Sequence, residues 1–182
     1  MSDEKFVTRS IFDFEEGGEP FELIYMPHVC IIESPSVADR QNDRREGRAL
    51  AEALNLANIR HRLFDVTDRS SLLNTLEGIV DFAWPSQSPI VSGQRTKFVF
   101  PRLFLHFSCH GNELGIGLTN GDFIKWPELG NLLLGLAAKL RLFDKSQFPC
   151  AALHLCMSSC CGLHARTMAS DPDAIPFLTL VG

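Results

Sequence analysis

Five successive residues in the middle of the chain, Leu103-Phe104-Leu105-His106-Phe107, constrain its fold more than any other stretch. In an extended strand, successive side chains point to opposite faces. Bulky apolar groups at consecutive positions therefore need cover on both sides. That is the situation of a central strand in a parallel sheet packed between helices. The run stops at Ser108-Cys109-His110-Gly111, where polar and small residues end the apolar pattern.

The rest of the sequence is organised around this strand. His28-Val29-Cys30-Ile31-Ile32, closed by Ser34-Pro35-Ser36, has the length and β-branched content of a first buried strand. Leu50, Ala53, Leu54 and Ala57 recur at helical spacing, which predicts a helix over 39–58. A second strand is expected over Arg62–Val66. A helix capped by Asp68 or Ser70 follows, with Leu72, Leu76, Ile79, Val80 and Ala83 on one face. Residues 85–97, rich in Ser, Pro, Gly and Gln, read as a long mobile loop. Beyond the central strand, Ile116–Trp126 turns at Asn120-Gly121 like a short hairpin. Pro127 is placed to begin a helix whose apolar face carries Leu129, Leu132, Leu133, Leu136, Ala137 and Leu140. Ala151–Met157 and Ile175–Val181 complete the strands. Residues 1–27, with a loop at Glu15-Glu16-Gly17-Gly18, read as an N-terminal arm or edge hairpin, and 28–182 as one domain. Alternating strands and helices predict an α/β three-layer αβα sandwich with a mainly parallel sheet and right-handed crossovers.

Size and composition agree with one globular domain. A chain of 182 residues buries roughly 70% of its unfolded surface, so a core forms without disulfides or metal. The hydrophobic fraction of 45% and charged fraction of 21% are those of a globular protein. The net charge of −5 argues against a broad nucleic-acid surface. Arg40, Arg44, Arg45 and Arg48 cluster, but Asp39, Asp43 and Glu46 interleave with them, as on a solvated helix face. No apolar run reaches 18 residues and the first ten are polar, so neither a membrane span nor a signal sequence is expected, and the cytoplasm is the expected location. Three of the six cysteines, Cys156, Cys160 and Cys161, crowd one segment, a layout suited to reduced thiols.

In a parallel sheet the strands end at one edge, where ligands and reactive groups gather. His110 follows the third strand and Cys160 follows the fourth. Neighbouring strands lie ~4.8 Å apart, so the two side chains can meet in one cleft although fifty positions separate them. A thiol beside an imidazole is a nucleophile and its base. The N–H groups of Gly111 and Cys160 are placed to hold an oxyanion. Cys30, Cys150, Cys156, His106 and His154 sit within strands and read as core residues. Cys156, Cys160, Cys161 and His164 form a dense group, with Cys109 and His110 as a second pair of metal ligands on offer. A strand end does not readily wrap four ligands from one segment around one ion, so neither metal nor cofactor is expected.

Several of these segments resemble a known family. Leu105-His106-Phe107-Ser108-Cys109-His110-Gly111-Asn112-Glu113, with Gly115-Ile116, Asn120-Gly121 and Trp126-Pro127-Glu128-Leu129, is similar to the histidine segment of caspase-like (clan CD) cysteine peptidases, in particular bacterial CHAT-domain proteins. Leu155-Cys156-Met157-Ser158-Ser159-Cys160-Cys161-Gly162 resembles their nucleophile segment. Cys161 departs from the polar or basic residue usual there. The resemblance covers about residues 28–182 and implies His110 as base, Cys160 as nucleophile, and the Gly111 and Cys160 amides as oxyanion donors. It implies a cysteine endopeptidase acting on protein or peptide substrates, or, as an alternative, a non-catalytic interaction module of the same fold. It further implies that the loop after the first strand meets the substrate residue before the scissile bond. Glu33, Asp39 and Arg40 lie there, and Glu33, nearest the strand end, favours a basic side chain. Such domains continue past the fifth strand, so a missing C-terminal part and a homodimer or completing partner are also expected.

Overall fold

A computed structural model describes residues 8–12, 21–83, 90–92, 95–140, 152–170, 175–177 and 179–181. In chain order the elements are β1 (Thr8–Phe12), β2 (Phe21–Ser34), α1 (Val37–Gln41), α2 (Glu46–Leu56), β3 (His61–Asp65), α3 (Arg69–Ala83), β4 (Ile90–Ser92), β5 (Arg95–Asn112), β6 (Gly115–Gly117), β7 (Phe123–Lys125), α4 (Trp126–Lys139), β8 (Ala152–Ser158), a 3₁₀ segment (Gly162–Ala169) and β9 (Thr179–Val181).

The principal strands run in the spatial order β3-β2-β5-β8-β9, every neighbouring pair parallel. Numbered among themselves along the chain, these strands are ordered 2-1-3-4-5, the doubly wound arrangement with a switch point between the first and third. Here that point lies between β2 and β5. Their register is long, from Phe21 opposite Thr96 to Ser34 opposite Cys109.

Side-chain parity divides the two faces. Cys30 and Ile32 of β2, Leu103, Leu105 and Phe107 of β5, and Leu153, Leu155 and Met157 of β8 share one core with Leu72, Leu76 and Ile79 of α3 and Leu129, Leu133 and Leu136 of α4. The opposite face receives α2, where a Cβ on Gly47 would lie 3.0 Å from Ile31 and Glu33. Helices thus cover both faces and the α/β sandwich is the architecture observed. Each fully buried Leu or Ile contributes about 1.5–3 kcal/mol by leaving water, which makes the α3–α4 side the stronger half of the core. No helix among the described residues is long and apolar enough to cross a membrane.

Local signals account for the helix starts. Asp68 caps α3, accepting the Ser71 N–H at 2.8 Å, and this bond holds its carboxyl below the usual range. Pro127 occupies the first turn of α4. Trp126 is buried, and its indole N–H donates to the Glu113 carbonyl at 3.1 Å.

The structure corrects three expectations. The single helix over 39–58 is two helices, because Asp43 turns left-handed (φ 52°) between them. The expected loop at 85–97 contains a hairpin, Ile90–Ser92 antiparallel to Arg95–Lys97; residues 84–89 and 93–94 lie outside the described set. The fifth strand is shorter than 175–181: among the described residues of that span, Thr179–Val181 are paired and 175–177 are not. At the N-terminus β1 pairs antiparallel with Phe21–Tyr25, so β2 runs through the boundary placed after residue 27.

Candidate functional site

The C-terminal ends of β2, β5 and β8 open into a cleft of about 550 Å³. Its walls come from Pro35 after β2, Asp39 of α1, Arg44 and Glu46 at the start of α2, Ser108, Cys109 and His110 of β5, and Met157 to Cys160 at the end of β8. This is the switch-point edge, where the connections from β2 and β5 leave toward opposite faces.

His110 and Cys160 both line this cleft and both are exposed. The strand register explains why both line it: Ser108 pairs with Ser158, so the chain leaves β8 beside the extension of β5 that carries His110. Gly111 closes the junction. A Cβ there would lie 3.0 Å from the Cys160 carbonyl oxygen and 3.2 Å from the Ser159 side chain. The turn beyond β8 is tight, with the Gly162 N–H donating to the Ser159 carbonyl at 3.0 Å and Cys161 left-handed at φ 62°. Cys161 is exposed but does not line the cleft, and neither does Cys156. Burial pushes the Cys109 thiol up to about 12 and raises that of Cys156.

The His110 ring has a defined partner. Its Nε2 lies 2.6 Å from Oδ2 of Asp39. The Ser36 hydroxyl donates to the same oxygen at 2.6 Å, and the Asp39 N–H donates back to Ser36 Oγ at 3.0 Å. The bonds from Ser36 and His110, in that order, hold the Asp39 carboxyl below its ordinary range. The loop carrying this pair is itself pinned: Thr119 donates its hydroxyl to the Pro35 carbonyl at 2.7 Å and its N–H to Ser34 Oγ at 3.0 Å. The β6–β7 turn therefore fixes where Asp39 stands relative to β5.

The other two residues expected to meet substrate are placed elsewhere. Glu33 is fully buried. One carboxylate oxygen accepts the Arg48 N–H at 3.1 Å and the other accepts Arg45 Nε at 2.8 Å. Arg45, the residue preceding α2, makes no side-chain cap, so Glu33 supplies the acceptor that the first turn of α2 lacks. With both oxygens engaged inside the protein, Glu33 is an anchor and not a substrate contact. Arg40 pairs with Asp65 and does not line the cleft. Arg45 also reaches Asp65, at 2.9 Å.

Arg44 and Glu46 line the cleft, although the sequence predicts them on a solvated helix face. Nothing in their own spacing separates them from Arg45 or Arg48. One local signal for the Asp39 arrangement was available: Ser36-Val37-Ala38-Asp39 after a strand is a Ser-x-x-acid capping pattern. Among the described residues no group of three or more His, Cys, Asp or Glu is placed to hold a metal ion.

Searches of protein-family models and of curated proteins return no match for this chain.

Proposed function

We propose that the chain is a cysteine endopeptidase of the caspase-like type, with His110 and Cys160 as its catalytic pair. The observation that carries this reading is the placement of an exposed imidazole and an exposed thiol in one cleft at the C-terminal edge of a parallel sheet. In this reading His110 takes the Cys160 proton, and the thiolate attacks the substrate carbonyl carbon. The tetrahedral oxyanion is held by the N–H groups at Gly111 and Cys160. Collapse breaks the C–N bond, and the imidazolium returns its proton to the leaving amine. A water then hydrolyses the thioester with His110 again as base.

The cleft's remaining charges bear on the substrate. With Glu33 withdrawn into the protein, a basic preference cannot come from that side chain. Arg44 and Glu46 are the side chains left to meet charged groups on a peptide.

The test is labelling of the folded protein with a peptidyl electrophile, such as an acyloxymethyl ketone library, read by peptide mapping. The expected result is a single adduct on Cys160 that His110→Ala removes. Labelling that is indifferent to His110 sinks the peptidase reading and leaves an interaction module of the same fold.

A further inference from the structure

The sequence predicts Asp39 among the substrate contacts, but in the structure its carboxylate is bonded to the histidine. We infer that Asp39 is the positioning residue of an acid–histidine–cysteine triad, holding the His110 ring by its Nε2–H so that Nδ1 is left to take the proton of Cys160. This inference rests on the peptidase reading above.

Three observations carry it. First, the Nε2–Oδ2 separation of 2.6 Å is that of a charge-assisted hydrogen bond, and it fixes which ring nitrogen carries a proton toward the carboxylate. Second, Asp39 is not free to swing to a substrate. Ser36 donates to the same Oδ2 and accepts the Asp39 N–H, so the carboxylate is held from two sides. Third, the loop is anchored to the β6–β7 turn through Thr119, and that turn is joined to His110 by the pairing of His110 with Gly117. Acid and imidazole thus sit on one braced unit, although 71 positions separate them. An acid recruited to bind a substrate cation would have to break its bond to His110 each time.

The proton balance is complete within these residues. The Cys160 S–H proton passes to Nδ1, giving thiolate and imidazolium, while Nε2–H stays bonded to the Asp39 carboxylate. The leaving amine later takes the Nδ1 proton. Asp39 exchanges no proton; its charge steadies the imidazolium while it exists. The other titratable groups lining the cleft are Arg44 and Glu46 of the α2 start, Cys109 beside His110, and Cys160 itself.

The experiment uses the full chain and neutral iodoacetamide, which needs no substrate pocket. The alkylation rates of Cys160 and Cys161 are followed by peptide mapping from pH 6 to 9. Exposed Cys161 serves as an internal reference. The wild type should alkylate Cys160 faster than Cys161 at pH 6.5, and His110→Ala should remove that advantage. Asp39→Asn keeps the shape and removes the charge. It should reduce the Cys160 advantage about tenfold, because the imidazolium that favours the thiolate loses its counter-charge. An unchanged Cys160 pH profile in Asp39→Asn overturns the positioning role while the pair itself stands. A wild-type Cys160 no faster than Cys161 overturns both. Labelling of buried Cys30 and Cys109 reports a variant that has lost its fold. If Asp39→Asn does so, Ser36→Ala, which frees the carboxylate without removing it, decides the matter by the same readout.

Discussion

The carbonyl oxygen of Cys160 lies where a side chain on residue 111 would begin: a Cβ on Gly111 would sit 3.0 Å from it. The two strand ends that carry His110 and Cys160 therefore pass close together, and a side chain at 111 fits only if the Cys160 turn gives way. Gly111→Ala should therefore displace the Cys160 turn by a few tenths of an ångström. We expect about a tenfold loss of any thiol-dependent activity, with a small change in melting temperature. An equal loss of stability and activity would mean that the junction matters for folding alone.

Gly115 provides the contrast. A Cβ there would fall 2.1 Å from the Ile124 carbonyl oxygen and 2.8 Å from Lys125 Cα, both backbone atoms that cannot yield cheaply. Gly115→Ala should cost at least about 1–3 kcal/mol by overpacking, measured by urea unfolding. It should also loosen the β6–β7 turn that braces the Asp39 loop.

On the peptidase reading proposed above, Cys160→Ala should abolish activity, and His110→Ala should cost ~10²-fold or more. Cys161→Ala and Cys156→Ala should retain most of it, because neither side chain lines the cleft. Cys161 further offers a test by stabilisation. It is a non-glycine residue in the left-handed region, and Cys161→Gly should raise stability by up to about 1 kcal/mol while leaving Cys160 reactive. Loss of activity in that variant with Cys160 still reactive would show that Cys161 is the working thiol.

Glu33→Gln should destabilise the protein by about 1–3 kcal/mol, because it removes the buried one of the two carboxylates that Arg45 pairs with, leaving Asp65, and weakens the cap of α2. Urea unfolding measures the loss. A stable variant with an altered preference for charged substrates would return Glu33 to the binding cleft.

Stability should fall in alkali. Burial pushes both Cys30 and Cys109 up to about 12, above the ordinary thiol value they regain on unfolding. A raised folded-state value means that the native protein holds protons which the unfolded chain releases. The stabilisation is complete below the unfolded value, near 8.5, and declines as pH rises toward the folded one. Each thiol should contribute a slope of about 1 kcal/mol per pH unit in that window. Unfolding at pH 8, 9.5 and 10.5 measures it. Cys109→Ala should flatten the slope, and a slope unchanged by Cys109→Ala and Cys30→Ala would place its origin elsewhere.

Sequence periodicity predicts the sheet and the edge at which its strands end. Leu103–Phe107 had to be central because it is apolar on both faces, and parallel strands end together, which put His110 and Cys160 at one edge. Asp68 and Pro127 marked helix starts because capping is local chemistry. Those inferences needed only the pattern of a segment and its immediate neighbours. The charges between Asp39 and Arg48 could not be sorted this way. They recur without a period, and each has several possible partners of opposite sign. Sheet order chose among them. Placing β3 and β5 on either side of β2 set Asp65 against Arg40 and Arg45, buried Glu33 beneath α2, and brought Asp39 to His110. The left-handed turn at Asp43 then presented Arg44 and Glu46 to the cleft. The sequence alone determined which segments form the buried middle of the parallel sheet, because burial is written in side-chain pattern, but not β4 or the outer parts of β2 and β5. Only the tertiary structure decided which charged groups face one another, because that depends on strand order and register between segments far apart in the chain.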